Sequence, residues 1–167
     1  HAIDVLSHFL AEHSEHSLAP RVLFARGYNR NLMNLPVEAR DDFERFIVEY
    51  PKHALLLDSH FWRALTFFAE RNYDQTLEAL TILELKVKGG RLEPEVAYRL
   101  AATHYAKGDY EKALVSIKNY LTEHPFHVRV DEGRVLLADI QMGRGNLELA
   151  RSIFDNISPS ADHLFTY

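Results

Sequence analysis

The sequence predicts an all-α chain that folds as a right-handed α-solenoid of antiparallel helix hairpins, with about four hairpins and one preceding unpaired helix. Two observations predict this class. Turn-like triplets recur every 37 residues, and small and apolar residues recur at fixed distances from those triplets. A period of this length indicates a supersecondary unit that buries its apolar face only by stacking on its neighbours.

The turn-like triplets set the register of the repeat. In chain order they are Asn34-Leu35-Pro36, Arg71-Asn72-Tyr73, Gly108-Asp109-Tyr110 and Gly145-Asn146-Leu147. Gly, Asn, Asp and Pro are the residues that favour chain reversal. Each triplet is therefore predicted to join the two helices of one hairpin.

Small residues flank every triplet at the same distances. Seven residues before the triplets stand Gly27, Ala64, Ala101 and Ala138, and five residues after their first members stand Ala39, Thr76, Ala113 and Ala150. Apolar residues follow at nine and twelve positions, and they are Phe43, Leu80, Ile117, Phe154, Phe46, Leu83, Tyr120 and Ile157. Small residues let two helix axes approach closely, while large neighbours fill the flanks.

Helix boundaries follow from these signals. Pro20, Pro36 and Pro94 fall in expected first turns, where proline is tolerated, and Pro51 and Pro125 follow expected helix ends. The predicted helices cover residues 2–13, 19–33, 37–50, 56–70, 74–87, 94–107, 111–124, 129–143 and 147–157.

The period also predicts the domain organisation. We expect residues 1–167 to form a single solenoid domain with repeats at about 20–56, 57–93, 94–130 and 131–167. Residues 2–13 match the second helix of a preceding repeat, and Pro159 to Tyr167 is expected to connect to a further one. The chain is therefore expected to be a fragment of a longer protein.

The amino-acid composition argues against several classes of function. The formal net charge is −5, which disfavours nucleic-acid binding because that needs a basic face. No apolar run of 18 residues occurs, so no membrane insertion is expected. The absence of cysteine removes disulfides, thiolate metal sites and cysteine nucleophiles.

The segment from Tyr98 to Pro125 resembles the tetratricopeptide repeat family. The residues that carry the resemblance are Leu100, Ala101, Tyr105, Gly108, Tyr110, Ala113 and Pro125. The family's usual period is 34, so the period of 37 is a longer variant. This longer period, with the segment from Tyr50 to Ala64, is similar to bacterial envelope proteins of the outer-membrane-assembly and Tol-associated kind, which implies a location in the cell envelope or periplasm. Arg26 and Arg63 depart from the pattern, since they stand where Leu100 and Leu137 stand.

The resemblance implies a concave groove lined by the first helices of successive hairpins, in which a peptide or partner domain binds. The residues expected to face it share the spacing i, i+4, i+7 on each first helix. We call them the groove stripe, and they are Phe24, Tyr28, Asn31, Phe61, Leu65, Phe68, Tyr98, Ala102, Tyr105, Val135, Asp139 and Met142. The structural alternative is that the aromatic members are core residues.

Other signals favour structural roles. His13 and His16 recur three periods later as His124 and His127, and a repeated turn position explains them better than a metal site. Arg26 and Arg63 are interpreted as paired or snorkelling arginines, with the anchoring of an acidic partner group as the alternative. Three first helices begin with a carboxylate in the first turn, namely Asp58, Glu95 and Glu132. These carboxylates either interact favourably with the helix dipole or form an acidic rim for a ligand.

The function predicted from the sequence is therefore protein–protein interaction without catalysis, metal or cofactor. No spacing suggests a set of nucleophile, base and acid. The alternative is a structural spacer or self-assembling segment of a larger repeat protein. Exposed apolar residues at Ala2–Phe9 and Leu164–Tyr167 would favour this alternative. The oligomeric state and the partner's identity stay open.

Overall fold

The computed structural model of the chain describes residues 1–157, and within that range the regular structure is entirely helical. The helices are α1 (Ala2–Glu12), α2 (Ala19–Leu32), α3 (Pro36–Glu49), α4 (Leu56–Ala69), α5 (Tyr73–Val87), α6 (Glu93–Lys107), α7 (Tyr110–Glu123), α8 (Val130–Gly143) and α9 (Leu147–Asp155). The predicted all-α class and each predicted helix are confirmed, with bounds that differ by two residues at most. The connector expected from Pro159 to Tyr167 lies outside the described residues.

The chain divides into two compact units. Residues His1–Lys88 form the first unit with α1 to α5, and the second unit begins at Gly89 and contains α6 to α9. Within each unit, helices that follow one another in sequence pack side by side, and α2 also touches α4 as α6 touches α8. The division falls at Gly89, which has a positive φ of 73°. A single repeat domain over 1–167 stays a prediction.

The four hairpin turns repeat one backbone conformation. Asn34, Arg71, Gly108 and Gly145 all have positive φ, between 58° and 86°, and they are 37 residues apart. In each turn the next residue donates its N–H to the carbonyl five residues back, as Asp109 does to His104 at 2.9 Å. These are Schellman motifs, which satisfy the free carbonyls at a helix end. The predicted triplets are thus the hairpin turns.

The predicted small slots are points of close helix packing. Ala39, Ala64, Ala101, Ala113 and Ala138 have no exposed surface. At Gly27 an added Cβ would lie 3.0 Å from the ring of Phe43 and 3.1 Å from the Cβ of Asp42. A larger side chain would therefore separate α2 from α3, which is the physical reason for the small residues.

Large apolar residues fill the space beside the small slots. In the first unit one buried cluster contains Leu10, Ala19, Leu23 and Phe46. In the second unit the buried cluster is centred on Ile117, Tyr120, Leu136 and Ile140. Both clusters join helices of adjacent hairpins, as expected when each hairpin alone buries only part of its apolar surface.

Candidate functional site

The groove stripe is placed on four helices, two in each unit. Its members on α2 and α4 belong to the first unit, and its members on α6 and α8 belong to the second. In both units the two helices that carry the stripe are in contact. Each unit therefore has its own stripe surface.

Three members of the stripe in the first unit serve the core. The ring of Phe24 packs edge-on against Phe43 and Phe46, with centroids 5.7 and 6.1 Å apart. Phe61 is 5% exposed and Leu65 is 7% exposed. Phe61 and Leu65 offer a partner almost no surface, and the half-buried ring of Phe24 packs against the core, so the structural interpretation describes these three residues better than the binding one.

The remaining stripe residues of α2 and α4 are half-buried. Tyr28 meets the edge of Trp62 on the next first helix, at 4.8 Å between ring centroids. Phe68 lies 5.6 Å from Tyr73, the first residue of α5, and Asn31 is half-buried near the end of α2. This part of the stripe keeps aromatic surface at the solvent boundary, where rings commonly support binding.

Trp62 is a stripe neighbour that the sequence argument missed. It is half-buried and contacts both Tyr28 and Phe61. The i, i+4, i+7 spacing omits it because it follows Phe61 directly in sequence. Trp62 is the only tryptophan in the sequence, and its residue type could have indicated a role in binding, because tryptophan is enriched at interaction surfaces.

In the second unit the stripe is more polar. Tyr98 packs on Tyr120 at 5.6 Å, and burial raises the pKa of both phenols. Tyr105 packs against Tyr110 at 5.9 Å between centroids. Burial and the nearby charge of Asp139 raise the pKa of Tyr105, and burial also raises that of Asp139. Ala102 and Val135 are half-buried, and Met142 is 45% exposed.

The acidic residues that open first helices have partners within the chain. Arg129 binds Glu95 through Nε, at 3.1 and 3.2 Å, and Glu132 through Nη1, at 2.6 Å. Asp58 is buried, with 8% of its surface exposed. These contacts leave little acidic surface for a rim, and they favour the structural interpretation.

Three histidines in the links between hairpins form hydrogen bonds with residues nearby in sequence. His16 and His53 are one period apart, and each accepts a hydrogen bond through Nδ1 from the N–H two residues later, at 3.1 and 3.0 Å. His127 stands two periods after His53 and its Nδ1 lies 2.8 Å from the hydroxyl of Tyr120. Repetition of one link position thus accounts for these histidines.

Metal-binding clusters and membrane-spanning helices are absent from the described residues. Within residues 1–157, no group of three or more His, Asp or Glu side chains is arranged to hold a metal ion. Over the same range, no helix combines the length and apolar character needed to span a bilayer.

Arg26 and Arg63 differ although they are equivalent by the period. Arg26 binds the buried carboxylate of Asp42 with both Nε and Nη2, and Arg30 binds the same carboxylate at 2.7 Å. Within residues 1–157, Arg63 lies 4.0 Å from the carboxylate of Glu44, and its buried Nε has no hydrogen-bond partner. The prediction of paired arginines therefore describes Arg26 but not the Nε of Arg63.

The hairpins and their turns define a helical-repeat fold of the tetratricopeptide type. Residues 95–127, which cover most of α6, all of α7 and part of the following link, match the family model described as Tetratricopeptide repeat. The envelope variant suggested by the longer period finds no support in the match. The chain has no detectable match among curated proteins.

Solved structures share the fold over nearly the whole chain. MamA from Desulfovibrio magneticus RS-1 superposes with a TM-score of 0.73 at 13% identity, covering 93% of this chain and 81% of that one. TPR-like repeats of a putative kinesin light chain from Podosopora anserina give 0.73 at 15% identity, covering 98% and 88%. The apo form of RapI gives 0.77 at 14% identity, covering 96% of this chain but 48% of RapI. At these identities the similarity establishes the fold alone.

Proposed function

We propose that the chain is a protein-interaction scaffold that binds a peptide or partner domain on its groove stripe. The observation that carries the proposal is the partial exposure of rings in the stripe, above all Tyr28 beside Trp62 and Tyr105 beside Asp139. Aromatic rings at the solvent boundary give large contact area at little cost in rotamer entropy.

The contributing members of the stripe are those that keep accessible surface. In the first unit they are Phe24, Tyr28, Asn31 and Phe68, and in the second they are Tyr98, Ala102, Tyr105, Val135, Asp139 and Met142. The second set adds a carboxylate to apolar surface, which favours a ligand with a hydrogen-bond donor or a cation beside an apolar side chain.

The experiment is a comparison of affinity purifications from the source organism, with the bound proteins identified and quantified by mass spectrometry. The bait is the wild-type chain or the variants Tyr28→Ala and Tyr105→Ala, each first checked for a native melting transition. The matched control is Phe126→Ala, which removes a ring that is 98% exposed but lies outside the stripe. We expect specific partners that the stripe variants lose by about tenfold and the control retains.

Two outcomes would count against the proposal. Partners retained by both stripe variants would place binding elsewhere on the chain. Partners lost equally by Phe126→Ala would indicate nonspecific capture by exposed rings. The spacer or self-assembly alternative predicts instead a molar mass that rises with concentration in light scattering, with no dependence on Tyr28 or Tyr105.

A further inference from the structure

The first hairpin shows how this fold holds a carboxylate. Asp42 on α3 is 1% exposed and lies between the guanidinium groups of Arg26 and Arg30. Arg26 donates Nε to both carboxylate oxygens, at 3.2 and 3.0 Å, and Nη2 to one of them at 2.6 Å. Such forked, charge-assisted pairing is the strongest kind of hydrogen bonding available to a side-chain carboxylate.

The second hairpin has the arginine without the carboxylate. Arg63 stands 37 residues after Arg26, and Ala79 stands 37 residues after Asp42. The unpartnered buried Nε of Arg63 is the atom that, in Arg26, bonds both oxygens of Asp42. A buried donor without an acceptor destabilises the folded chain, and a ligand that supplies an acceptor would remove this cost.

Open space adjoins both Arg63 and Ala79. Two cavities of about 90 and 160 Å³ share Arg63, Ala79 and Ile82 in their walls. They have room for several water molecules, since one water occupies about 30 Å³ in the liquid.

The walls combine the cations Arg63 and Lys86 with an apolar surface. His60 and Lys86 line the smaller cavity beside Arg63, and burial followed by the charges of Arg63 and Lys86 lowers the pKa of His60. Ile82 is 53% exposed at the rim. Two carboxylates are near: Glu44 lies 4.0 Å from Nη1 of Arg63, and Glu78 lines the larger cavity. Neither accepts a hydrogen bond from Nε.

We propose that this pocket between α4 and α5 binds an acidic side chain of a partner protein, whose carboxylate pairs with the guanidinium group of Arg63 as Asp42 pairs with that of Arg26 in the first hairpin. The pocket is independent of the groove stripe, since Arg63 is two residues from both Phe61 and Leu65. Two residues correspond to a rotation of about 200° around a helix, so the two sites lie on opposite faces of α4.

The test uses a blocked hexaglutamate peptide as the probe and a blocked hexaglutamine peptide as its uncharged match. Binding to the ¹⁵N-labelled full chain is followed by the Nε–H resonance of Arg63 and by fluorescence anisotropy. We expect hexaglutamate to shift that resonance and hexaglutamine to leave it unchanged.

Two variants and one control locate the effect. Arg63→Leu introduces the residue that the repeat carries at positions 100 and 137, and it should weaken hexaglutamate binding about tenfold. Ala79→Asp should weaken it similarly, because the new carboxylate occupies the pocket from within. Arg21→Leu, which removes an exposed cation on α2, should change binding by less than about twofold.

The proposal is overturned if hexaglutamate leaves the Arg63 Nε–H resonance of the wild-type chain unmoved. It is also overturned if Arg63→Leu and Arg21→Leu weaken binding equally, because that result would show general charge attraction. The first readout needs no variant, so it decides the proposal even if Ala79→Asp does not fold. Failure here would leave the groove stripe untouched, because no stripe residue takes part.

Discussion

A left-handed backbone at one residue closes each of the four hairpin turns. Gly108 and Gly145 adopt this conformation without steric cost, and Asn34 tolerates it better than most residues. Arg71 is the exception, with φ at 59° and a Cβ that the conformation disfavours. The triplets were visible in the sequence, but a turn at Arg-Asn-Tyr was recognisable only because the period placed it there.

Replacing Arg71 with glycine should therefore stabilise the first unit. Relief of the left-handed strain is worth about 1–2 kcal/mol, and the greater freedom of glycine in the unfolded chain offsets about 0.5–1 kcal/mol of it. We expect Arg71→Gly to raise the free energy of unfolding by about 0.5–1 kcal/mol, measured by urea denaturation. Arg71→Ala serves as the control, and equal stability of the two variants would contradict strain at this turn.

Close approach between helices depends on small residues at fixed places. The sequence showed these places in the slots of Gly27 and Ala64, where the same residue class recurs in every repeat. It did not show Gly133, because the equivalent positions hold Val22, Ser59 and Val96. In the structure an added Cβ at Gly133 would lie 2.7 Å from Cε1 of Tyr120. That contact follows from how α8 crosses α7, which no spacing encodes.

Gly133→Ala should destabilise the second unit despite the better helix propensity of alanine. Overpacking against the buried ring of Tyr120 costs about 1–3 kcal/mol, whereas the propensity gain is about 1 kcal/mol. We expect a net loss of about 1 kcal/mol in the free energy of unfolding, measured by urea denaturation with intrinsic tyrosine fluorescence. A gain of about 1 kcal/mol would instead show that Tyr120 moves aside without penalty.

Both compact units contain a histidine whose pKa is lowered in the folded state. Burial lowers the pKa of His60 in the first unit, assisted by the charges of Arg63 and Lys86. Burial also lowers the pKa of His104 in the second unit, which Asp109 opposes and two lysines assist. Burying neutral imidazole is favourable only while it stays neutral, so the stability of the molecule is linked to pH.

Stability should fall as the pH is lowered through the ordinary histidine range. The folded-state pKa of His60 and His104 lies below the unfolded value of about 6.5, so the unfolded chain binds more protons between the two. The free energy of unfolding should therefore decrease from pH 7.5 to about pH 5.5, a window above most carboxylate titration. Urea denaturation across this range measures the slope, and His60→Gln with His104→Gln should flatten it. An unchanged slope in that double variant would contradict the assignment.

The aromatic stripe shows where prediction from sequence ends. Spacing placed Phe61 and Phe68 on one face of α4, and both lie there. Phe61 is nevertheless buried, whereas Phe68 stays half-buried near the end of the helix beside Tyr73. Exposure depends on what neighbouring helices cover, and positions on one face of a helix do not receive identical neighbours.

By itself, the sequence determined the all-α class, the bounds of the helices and the 37-residue register of the turns. These features follow from local signals, since capping, proline placement and left-handed turn residues act within a few residues of the chain. Tertiary structure decided which stripe rings keep surface and which arginine has a carboxylate. Arg26 and Asp42 are 16 residues apart on different helices, and only packing brings the two groups together. In the second hairpin the same packing leaves the buried Nε of Arg63 without an acceptor. The repeat register shows that Arg26 and Arg63 are equivalent, but it does not show that only Arg26 binds a carboxylate through Nε.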